Sequence, residues 1–370
     1  IDEAIALHGG EARQSRDAYL AASLDDQAAL VSFLESLGGK NQKSVGLIPP
    51  NAQLGESPLL GKPLSALNDG DLSRYLRGQA LYDQDYSIQD GLGPTFNGDS
   101  CRGCHFDPIV GGAGPTGVSA VRFIENNGDF NQEEGLLVRR FHSHYAPPSL
   151  PNRVMESDGN YMGNFEVRQA LPSFGLGILE SIPETVILAN VDKEDLNNDG
   201  IKGKARILPD GTLGRFGWRA QISNLREFVA DAVSMELGIT LPSDLNLSAA
   251  VYEDNDSAKD PELSQEEFED LYFFLTQLGP PINQVSDQQV SDFEDGEQLF
   301  DTIACSTCHI PKLDASQQYA AYTNLLLHHV QPEEEPPRLF RTTPLWSIAK
   351  TGTYWHDGRA STLREAIETH

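Results

Sequence analysis

Cys101-Arg-Gly-Cys104-His105 and Cys305-Ser-Thr-Cys308-His309 are two copies of one pattern, C-x-x-C-H, around which the chain is organised. Two thiols at this spacing can form thioethers to one porphyrin, and the next residue places an imidazole beneath the iron. The two copies use all four cysteines of the 370-residue chain. The sequence therefore predicts two covalently bound c-type haems, each held by both cysteines of its motif and ligated by the histidine.

Other uses of paired cysteines fit this pattern less well. A single C-x-x-C pair also occurs in thioredoxin-like redox motifs and as half of a zinc site. Two pairs can build one Cys₄ zinc site, but a zinc site gives no reason for histidine after both pairs. A disulfide framework is disfavoured because four cysteines are sparse in a chain of 370 residues.

Acidic residues outnumber basic ones by 55 to 27, which gives a formal net charge of −28 at pH 7. This excess argues against nucleic acid and anionic membrane surfaces as partners. It fits a basic redox partner protein, although solubility in a salty medium is the simpler explanation. No apolar run approaches the length needed to cross a bilayer, so the sequence predicts no membrane span. The length suits two or three domains.

The location of the protein is inferred from its cysteine chemistry. Haem is attached covalently outside the cytoplasm, so the motifs predict an exported bacterial protein of the periplasm or the cell exterior. No signal peptide is visible, and the first residues resemble the middle of a domain. We therefore expect a processed chain.

Segments 23–37 and 264–278 share one helical pattern, and each position of the second lies 241 residues after its counterpart. Both begin with a serine and an acidic residue three positions later, as in a capping box. An apolar stripe follows in each, and each ends before glycine. This internal repeat resembles the closing helix of a small cytochrome c domain.

A second repeat precedes the cysteine motifs. Gly78-x-x-Leu81-Tyr82 lies upstream of the first motif, and Gly296-x-x-Leu299-Phe300 lies upstream of the second. Each predicts a leading helix whose aromatic residue packs near the haem. The fold class predicted is mainly α, with two cytochrome c-like haem domains, long loops and minor β structure near 118–123 and 137–141.

A third repeat matches segment 1–8 to segment 363–370, with Glu, Ala, Ile and His in the same places. It predicts that residues 1–38 form a closing segment that completes the second haem domain of a neighbouring unit. Residues 39–285 then form the N-terminal haem domain with a long insertion, and 286–370 form the C-terminal one. The neighbour is either another subunit, in head-to-tail self-association, or a tandem module. The alternative is a truncated chain with an unrelated N-terminal helix pair.

From about residue 72 onward, the chain resembles the bacterial di-haem oxidoreductases of the peroxidase type, some of which are described as thiol oxidoreductases. These proteins are relatives of di-haem cytochrome c peroxidase and of the di-haem enzyme that matures tryptophylquinone. The most specific stretch is His356-Asp-Gly-Arg359 with the block that follows it. The resemblance is carried by residues 91–101, 172–184, 199–203, 214–218, 237–240, 325–328, 341–346 and 356–370.

The resemblance implies the ligands of the second haem. In the peroxidase relatives, the last position of the final block carries the second axial ligand of the C-terminal haem, often methionine. Here that residue is His370, and His8 is its repeat counterpart. We therefore expect His309 to share its iron with one of these histidines, and His105 to hold an iron with a face that can open.

By the same analogy, Glu180 and Glu184 are candidates for moving a proton between peroxide oxygens, although exposed helical glutamates commonly have no such role. His142 and His144 are further candidates, with ordinary surface histidines as the preferred interpretation. Trp218 and Trp346 are candidates for relaying electrons between the haems, and a buried core tryptophan is an equally good interpretation of each. The list of acid–base candidates is therefore led by the two glutamates.

Asp195, Asn197 and Asp199 place oxygen atoms at alternate positions before Gly200, as at the opening of a calcium loop. The closing position holds Arg206 instead of a bidentate glutamate, so the EF-hand pattern fails. The di-haem relatives often hold calcium between the haems, which keeps a calcium site as an expectation.

Arg359 is a candidate partner for a haem propionate, or it simply caps a loop.

Three functions fit these observations. One is a peroxidase-like enzyme in which the C-terminal haem passes electrons to the N-terminal haem. Another is an electron-transfer module of a multi-haem chain or filament, with two histidines on each iron. The third is a sensor that binds a small ligand at an open haem. The number of axial ligands on each iron distinguishes the enzyme and the sensor from the electron carrier.

Overall fold

A computed structural model describes residues 17–18, 20–23, 26–27, 61–125, 136–142, 163–281, 290–314, 318–329, 338–349 and 351–369. Contacts between Cα atoms divide the chain into two compact units, Ile1–Ser44 and Val45–His370. The second unit contains both cysteine motifs. The boundary predicted at residue 285 remains a prediction.

In the first unit, a helix begins where the sequence predicts it. The hydroxyl of Ser23 accepts a hydrogen bond from the Asp26 N–H at 3.2 Å and donates one to the Asp26 carboxylate at 2.7 Å. The Gln27 N–H bonds to the Ser23 carbonyl at 2.9 Å. Ser23 therefore satisfies donors that a helix leaves unpaired at its first turn.

In the second unit, the described ranges hold seven α-helices. They are α1 (Asp69–Asp83), α2 (Leu176–Ser181), α3 (Glu184–Leu188), α4 (Leu225–Asp231), α5 (Gln265–Gln277), α6 (Val290–Thr302) and α7 (Leu363–Glu368). The capping box predicted at Ser264 and Glu267 is confirmed at the start of α5. Asn68 caps α1, and Asn224 caps α4.

The strands are short and lie outside the helical core. They are β1 (Thr95–Phe96), β2 (Ala120–Glu125), β3 (Leu136–Val138), β4 (Phe141–His142), β5 (Gly163–Arg168), β6 (Leu327–His328) and β7 (Phe340–Arg341). The largest sheet has the antiparallel order β3-β2-β5, and β1–β4 and β6–β7 form two-stranded pairs. The predicted mainly α class with minor β is confirmed. Two cytochrome c-like domains remain a prediction.

The centre of the core is the contact between α1 and α5. Tyr75, Gly78 and Tyr82 form the buried face of α1. Both tyrosine rings lie against Phe274, with centroids 5.0 and 5.4 Å away. A Cβ atom on Gly78 would lie 2.0 Å from the Asp270 carbonyl oxygen, so only glycine permits this approach of the helices.

Ion pairs join the same two helices at their rim. The Asp270 carboxylate accepts hydrogen bonds from Arg74 Nε at 3.1 Å and from Arg77 Nε at 2.6 Å. Asp270 is buried, and these charge-assisted bonds satisfy its two oxygens. The polar pairs thus fix how α1 and α5 align along their length.

The cluster around His356 forms a second buried group. Its ring stacks on Phe340 with centroids 4.0 Å apart, and Trp218 meets both rings edge-on. His356 is 3% exposed, and burial lowers the pKa of its imidazole to about 4. The ring is therefore neutral in the folded protein at physiological pH.

Among the helices that the structure describes, none combines the length and the apolar character that a membrane crossing requires.

Replacing Gly78 with alanine tests the helix contact. Because the added methyl group would overlap the Asp270 carbonyl, we expect Gly78→Ala to lower the free energy of unfolding by about 2 kcal/mol or more. The measurement is urea denaturation followed by circular dichroism. Ser73→Ala, at an exposed position on the same helix, should change stability by less than about 0.5 kcal/mol. Similar effects of the two substitutions would refute the close contact.

The stability of the fold should depend on the titration of His356. Its folded-state pKa is about 4 and its ordinary value is 6.5, so stability is present above pH 6.5 and is lost as the pH falls toward 4. Between pH 7 and pH 5 we expect a loss of up to about 2 kcal/mol from this group. His356→Phe keeps an aromatic ring without the titration, and its unfolding free energy should fall correspondingly less. The same pH dependence in both proteins would contradict this assignment.

Candidate functional site

The two cysteine motifs adopt the same backbone turn. The N–H of His105 bonds to the Cys101 carbonyl at 3.0 Å, and the N–H of His309 bonds to the Cys305 carbonyl at 3.0 Å. Each turn therefore brings its two thiols and its imidazole together, as attachment to one flat cofactor requires.

The residue after the first cysteine ties each motif to a preceding acidic residue. Arg102 is 2% exposed, and its guanidinium bonds to Asp85, with Nη2 at 2.6 Å from a carboxylate oxygen. In the second motif, the Ser306 hydroxyl donates to Asp301 of α6 at 2.7 Å. In both motifs, the residue after the first cysteine thus bonds to an acidic side chain and holds the motif in place.

A large cavity opens beside the first motif. Its empty volume is about 1670 Å³ counted to its open mouth, and its walls come from α1, α2, α4, α5 and the segments around them. Most of the lining side chains are apolar. Of the described residues that line it, His105 alone carries an imidazole, and none is methionine or lysine. The space lies directly beside the two thiols and the imidazole of the first motif.

Burial controls the protonation of the first motif. It raises the pKa of the Cys101 and Cys104 thiols to about 12, so both are neutral thiols in the unmodified chain. It also lowers the pKa of His105, which keeps the imidazole neutral. A neutral imidazole is the form that ligates a metal. The buried Nδ1 atom of His105 has no hydrogen-bond partner among the described residues.

The second motif orients its histidine differently. His309 Nδ1 lies 2.9 Å from the Tyr322 carbonyl oxygen. A proton on Nδ1 would satisfy this contact and leave Nε2 as the basic nitrogen, which is the usual arrangement of a metal-ligating histidine. Burial, together with the nearby Asp199 carboxylate, raises the pKa of the Cys308 thiol to about 11.

Sequence reasoning gave no role to three residues of these sites. Arg341 and Glu236 line the cavity, and buried His328 places Nδ1 3.7 Å from Cys308 Sγ. Arg341 and His328 both lie in stretches that carry the family resemblance, which was the only sequence signal for them. Glu236 lies on the π-helix Ala232–Leu237 that continues α4, and its carboxylate accepts from Asn97 Nδ2 at 2.6 Å.

Arg341 is the most unusual charge at the cavity. Its guanidinium is buried and bonds to the Gly217 carbonyl at 2.9 Å and to the Thr342 carbonyl at 3.3 Å. Burial lowers the pKa of Arg341 to about 10. A buried cation of this kind fits an anionic group of a cofactor.

The structure places Glu180 and Glu184 outside the described lining of the cavity. Glu180 accepts a hydrogen bond from the Leu225 N–H at the start of α4 at 2.8 Å and one from the Tyr272 hydroxyl at 3.2 Å. Glu184 is exposed and lies 4.0 Å from Arg215 Nη2. The catalytic role predicted for both remains a prediction.

Several predicted site residues lie outside the described residues. These are His8, His144 and His370, and the side chain of His142 is likewise outside the description. The second axial ligand expected for the C-terminal haem is therefore still an expectation.

In the predicted calcium segment, side-chain oxygens accept hydrogen bonds from backbone N–H groups. Asp195 Oδ1 accepts from the Gly200 N–H at 3.1 Å, and Asp199 Oδ1 accepts from the Ile201 N–H at 2.8 Å. The amide of Asn197 donates to Asp199 at 2.9 Å. Within the described ranges, the acidic groups whose oxygens converge within 4.8 Å are elsewhere, at Asp254, Asp260 and Glu262. Calcium at residues 195–199 remains an expectation.

Arg359 has a partner of its own chain. Its Nε and Nη2 atoms each lie 2.7 Å from Asp357 Oδ2, and its side chain is 48% exposed. It lies outside the described lining of the cavity, whereas Arg341 lies within it.

Substitutions of Glu180 separate a structural role from a chemical one. Because Glu180→Gln keeps an oxygen that accepts from Leu225, we expect it to retain stability, whereas Glu180→Ala should lose about 1 kcal/mol. Thermal melts give the comparison. Loss of peroxide turnover in Glu180→Gln, with its melting temperature unchanged, would instead assign the carboxylate to proton transfer.

The comparisons with known proteins identify one family. No curated protein matches the chain. The profile of the family described as "Di-haem oxidoreductase, putative peroxidase" matches residues 147–370, more than half of the chain, and this match includes the second cysteine motif. The chain therefore belongs to the di-haem oxidoreductase family, whose members carry haem.

Proposed function

We propose that the protein is an exported di-haem c-type cytochrome and a peroxidase-like oxidoreductase. In this proposal the haem at residues 305–309 passes electrons to the haem at residues 101–105, where the substrate is reduced. Export to the periplasm or the cell exterior follows from covalent haem attachment. An electron-donating redox partner protein is also required.

The observation that carries the proposal is the lining of the large cavity. His105 is its one imidazole among the described residues, and methionine and lysine are absent from that described lining. Among the described residues, no second strong ligand would then face an iron bound by His105, and an iron face of that kind can bind peroxide. The apolar walls would exclude bulk water from that face.

The residues of the cavity suit a haem. Cys101 and Cys104 would form the thioether bonds, and neutral, buried His105 would ligate the iron. Arg341 would pair with a propionate, since it is a buried cation in the lining of the cavity. When bound, the haem supplies one-electron and peroxide chemistry, and the chain supplies orientation, charge and proton transfer.

Proton transfer at the open face needs an ionisable group in the cavity. Among the described acidic residues, Asp231 and Glu236 line the cavity, whereas Glu180 and Glu184 do not. Asn97 orients the Glu236 carboxylate through its 2.6 Å hydrogen bond. We therefore favour Glu236 as the acid–base residue over the two glutamates predicted from the sequence.

Trp346 is the better supported of the two predicted electron relays. Both rings line the cavity, but the indole N–H of Trp346 donates to the Ala320 carbonyl at 2.6 Å, on the side of the second motif. Ala320 lies two residues before Tyr322, whose carbonyl contacts His309. A short path thus leads from the second motif to the wall of the cavity that holds the first.

Spectroscopy of the oxidised, haem-loaded protein tests the proposal. We expect two haems per chain, one low-spin iron and one high-spin iron, with the high-spin optical and spin-resonance signals changing when peroxide is added. His105→Ala should remove the high-spin, peroxide-sensitive species. His309→Ala should instead perturb the low-spin species, and it is the matched control.

The alternative function is a non-enzymatic electron-transfer cytochrome, a module of a multi-haem chain with two histidines on each iron. It predicts two low-spin irons that do not respond to peroxide. That result would overturn the peroxidase proposal.

A further inference from the structure

We propose that one face of α6, carrying Phe293, Gly296 and Leu299, is the docking site for residues 23–37 of a second copy of this chain. The proposal is independent of the chemistry at the haems. It rests on a helix pair that α1 and α5 form, and on α6, against which the described residues place no such partner helix.

The contact between α1 and α5 shows how a closing helix packs against the helix that precedes a cysteine motif. Phe274 and Asp270 of α5 lie over Gly78, with the Phe274 Cβ atom 2.6 Å from where a Cβ atom of Gly78 would be. Tyr75, one turn earlier on α1, is 3% exposed because Phe274 covers it. The glycine therefore marks the point of closest approach.

Helix α6 repeats the aromatic and glycine spacing of α1, and its residues 293–299 are exposed among the described residues. Phe300, the counterpart of Tyr82, is half-buried, with its ring centroid 5.9 Å from that of Tyr322. Phe293 and Gly296 correspond to Tyr75 and Gly78, and Leu299 corresponds to Leu81. Phe293 is 44% exposed and Leu299 is 56% exposed. A Cβ atom on Gly296 would have no described atom within 4 Å. Apolar side chains exposed together on one helix face indicate an interface.

The occupant is identified by the sequence repeat. Residues 23–37 repeat residues 264–278, so that Phe33 stands where α5 has Phe274, and Leu30 stands where it has Leu271. The Ser23 cap is formed in the first unit, as the Ser264 cap is in α5. Segment 23–37 thus has the residues that α5 uses to cover an aromatic side chain and a glycine.

The charges that face each other differ between the pair α1 and α5 and the proposed pair of α6 with segment 23–37. In the pair α1 and α5, Arg74 and Arg77 face the acidic residues 269 and 270. At the corresponding positions, α6 has Asp292 and Asp295, and segment 23–37 has Ala28 and Ala29. Alanines avoid the repulsion that two facing pairs of acids would produce. Segment 23–37 is therefore compatible with α6, whereas the sequence of α5 is not.

We assign the docked segment to a second copy of the chain, so association should depend on protein concentration. Mutual exchange of the segment between two copies gives a closed dimer, and one-way donation gives an open head-to-tail assembly. Both arrangements bury the same face of α6.

The test uses the full, haem-loaded chain. Analytical ultracentrifugation over a range of protein concentrations should detect a dimer or a larger assembly. Gly296→Leu places a side chain in open space, so the chain should remain folded while the helix approach is blocked. We expect this variant to weaken association by at least about tenfold, which corresponds to about 1.4 kcal/mol. Gln298→Leu adds the same side chain on another face of α6, and it should associate as the wild type does.

Substitutions in the segment test the charge argument. Ala29→Lys should strengthen association because it faces Asp295, and added salt should reduce the gain. Ala29→Asp should weaken association by a comparable factor. Circular dichroism melts of each variant establish that the chain is folded. A wild type that is monomeric at all concentrations, or association that Gly296→Leu leaves unchanged, would overturn the proposal.

Discussion

The close contact of α1 with α5 is the constraint on which the rest of the described second unit depends. Gly78 lets the backbone of α5 approach, and Tyr75 and Tyr82 are then sealed against Phe274. The carbonyl of Tyr82 accepts the N–H of Arg102, inside the first cysteine motif, at 3.2 Å. The position of the motif, and hence of the cavity beside it, therefore follows from how the two helices cross.

The interior of this acidic protein is locally rich in guanidinium groups. Buried Glu166 bonds to Arg168 at 2.6 Å and to Arg219 at 2.5 Å, and these cations hold the pKa of Glu166 below its usual value in spite of burial. Arg168 and Arg341 also line the cavity. A chain with a net charge of −28 thus keeps positive groups where an anionic cofactor would be placed.

The features that the sequence predicted are those set by local spacing. The turns at the two motifs and the caps at Ser23 and Ser264 depend on residues a few positions apart. The roles of Glu180 and Arg341 depend on partners far away in the chain, such as Leu225 and Gly217, so no local pattern predicted them. The sequence around a glutamate does not show whether its carboxylate caps a distant helix or transfers protons.

The distance along the chain between α1 and α5 has a consequence for the order of maturation. Arg74 and Asp270 are 196 residues apart, and contacts of such long range form late in folding because the ends of a long loop must be brought together. Before α1 and α5 pair, the walls that bury Cys101 and Cys104 are incomplete, and the two thiols are accessible to solvent. The long insertion between the two helices would thus leave an interval in which a large, rigid cofactor can reach the two thiols before the helices close over them.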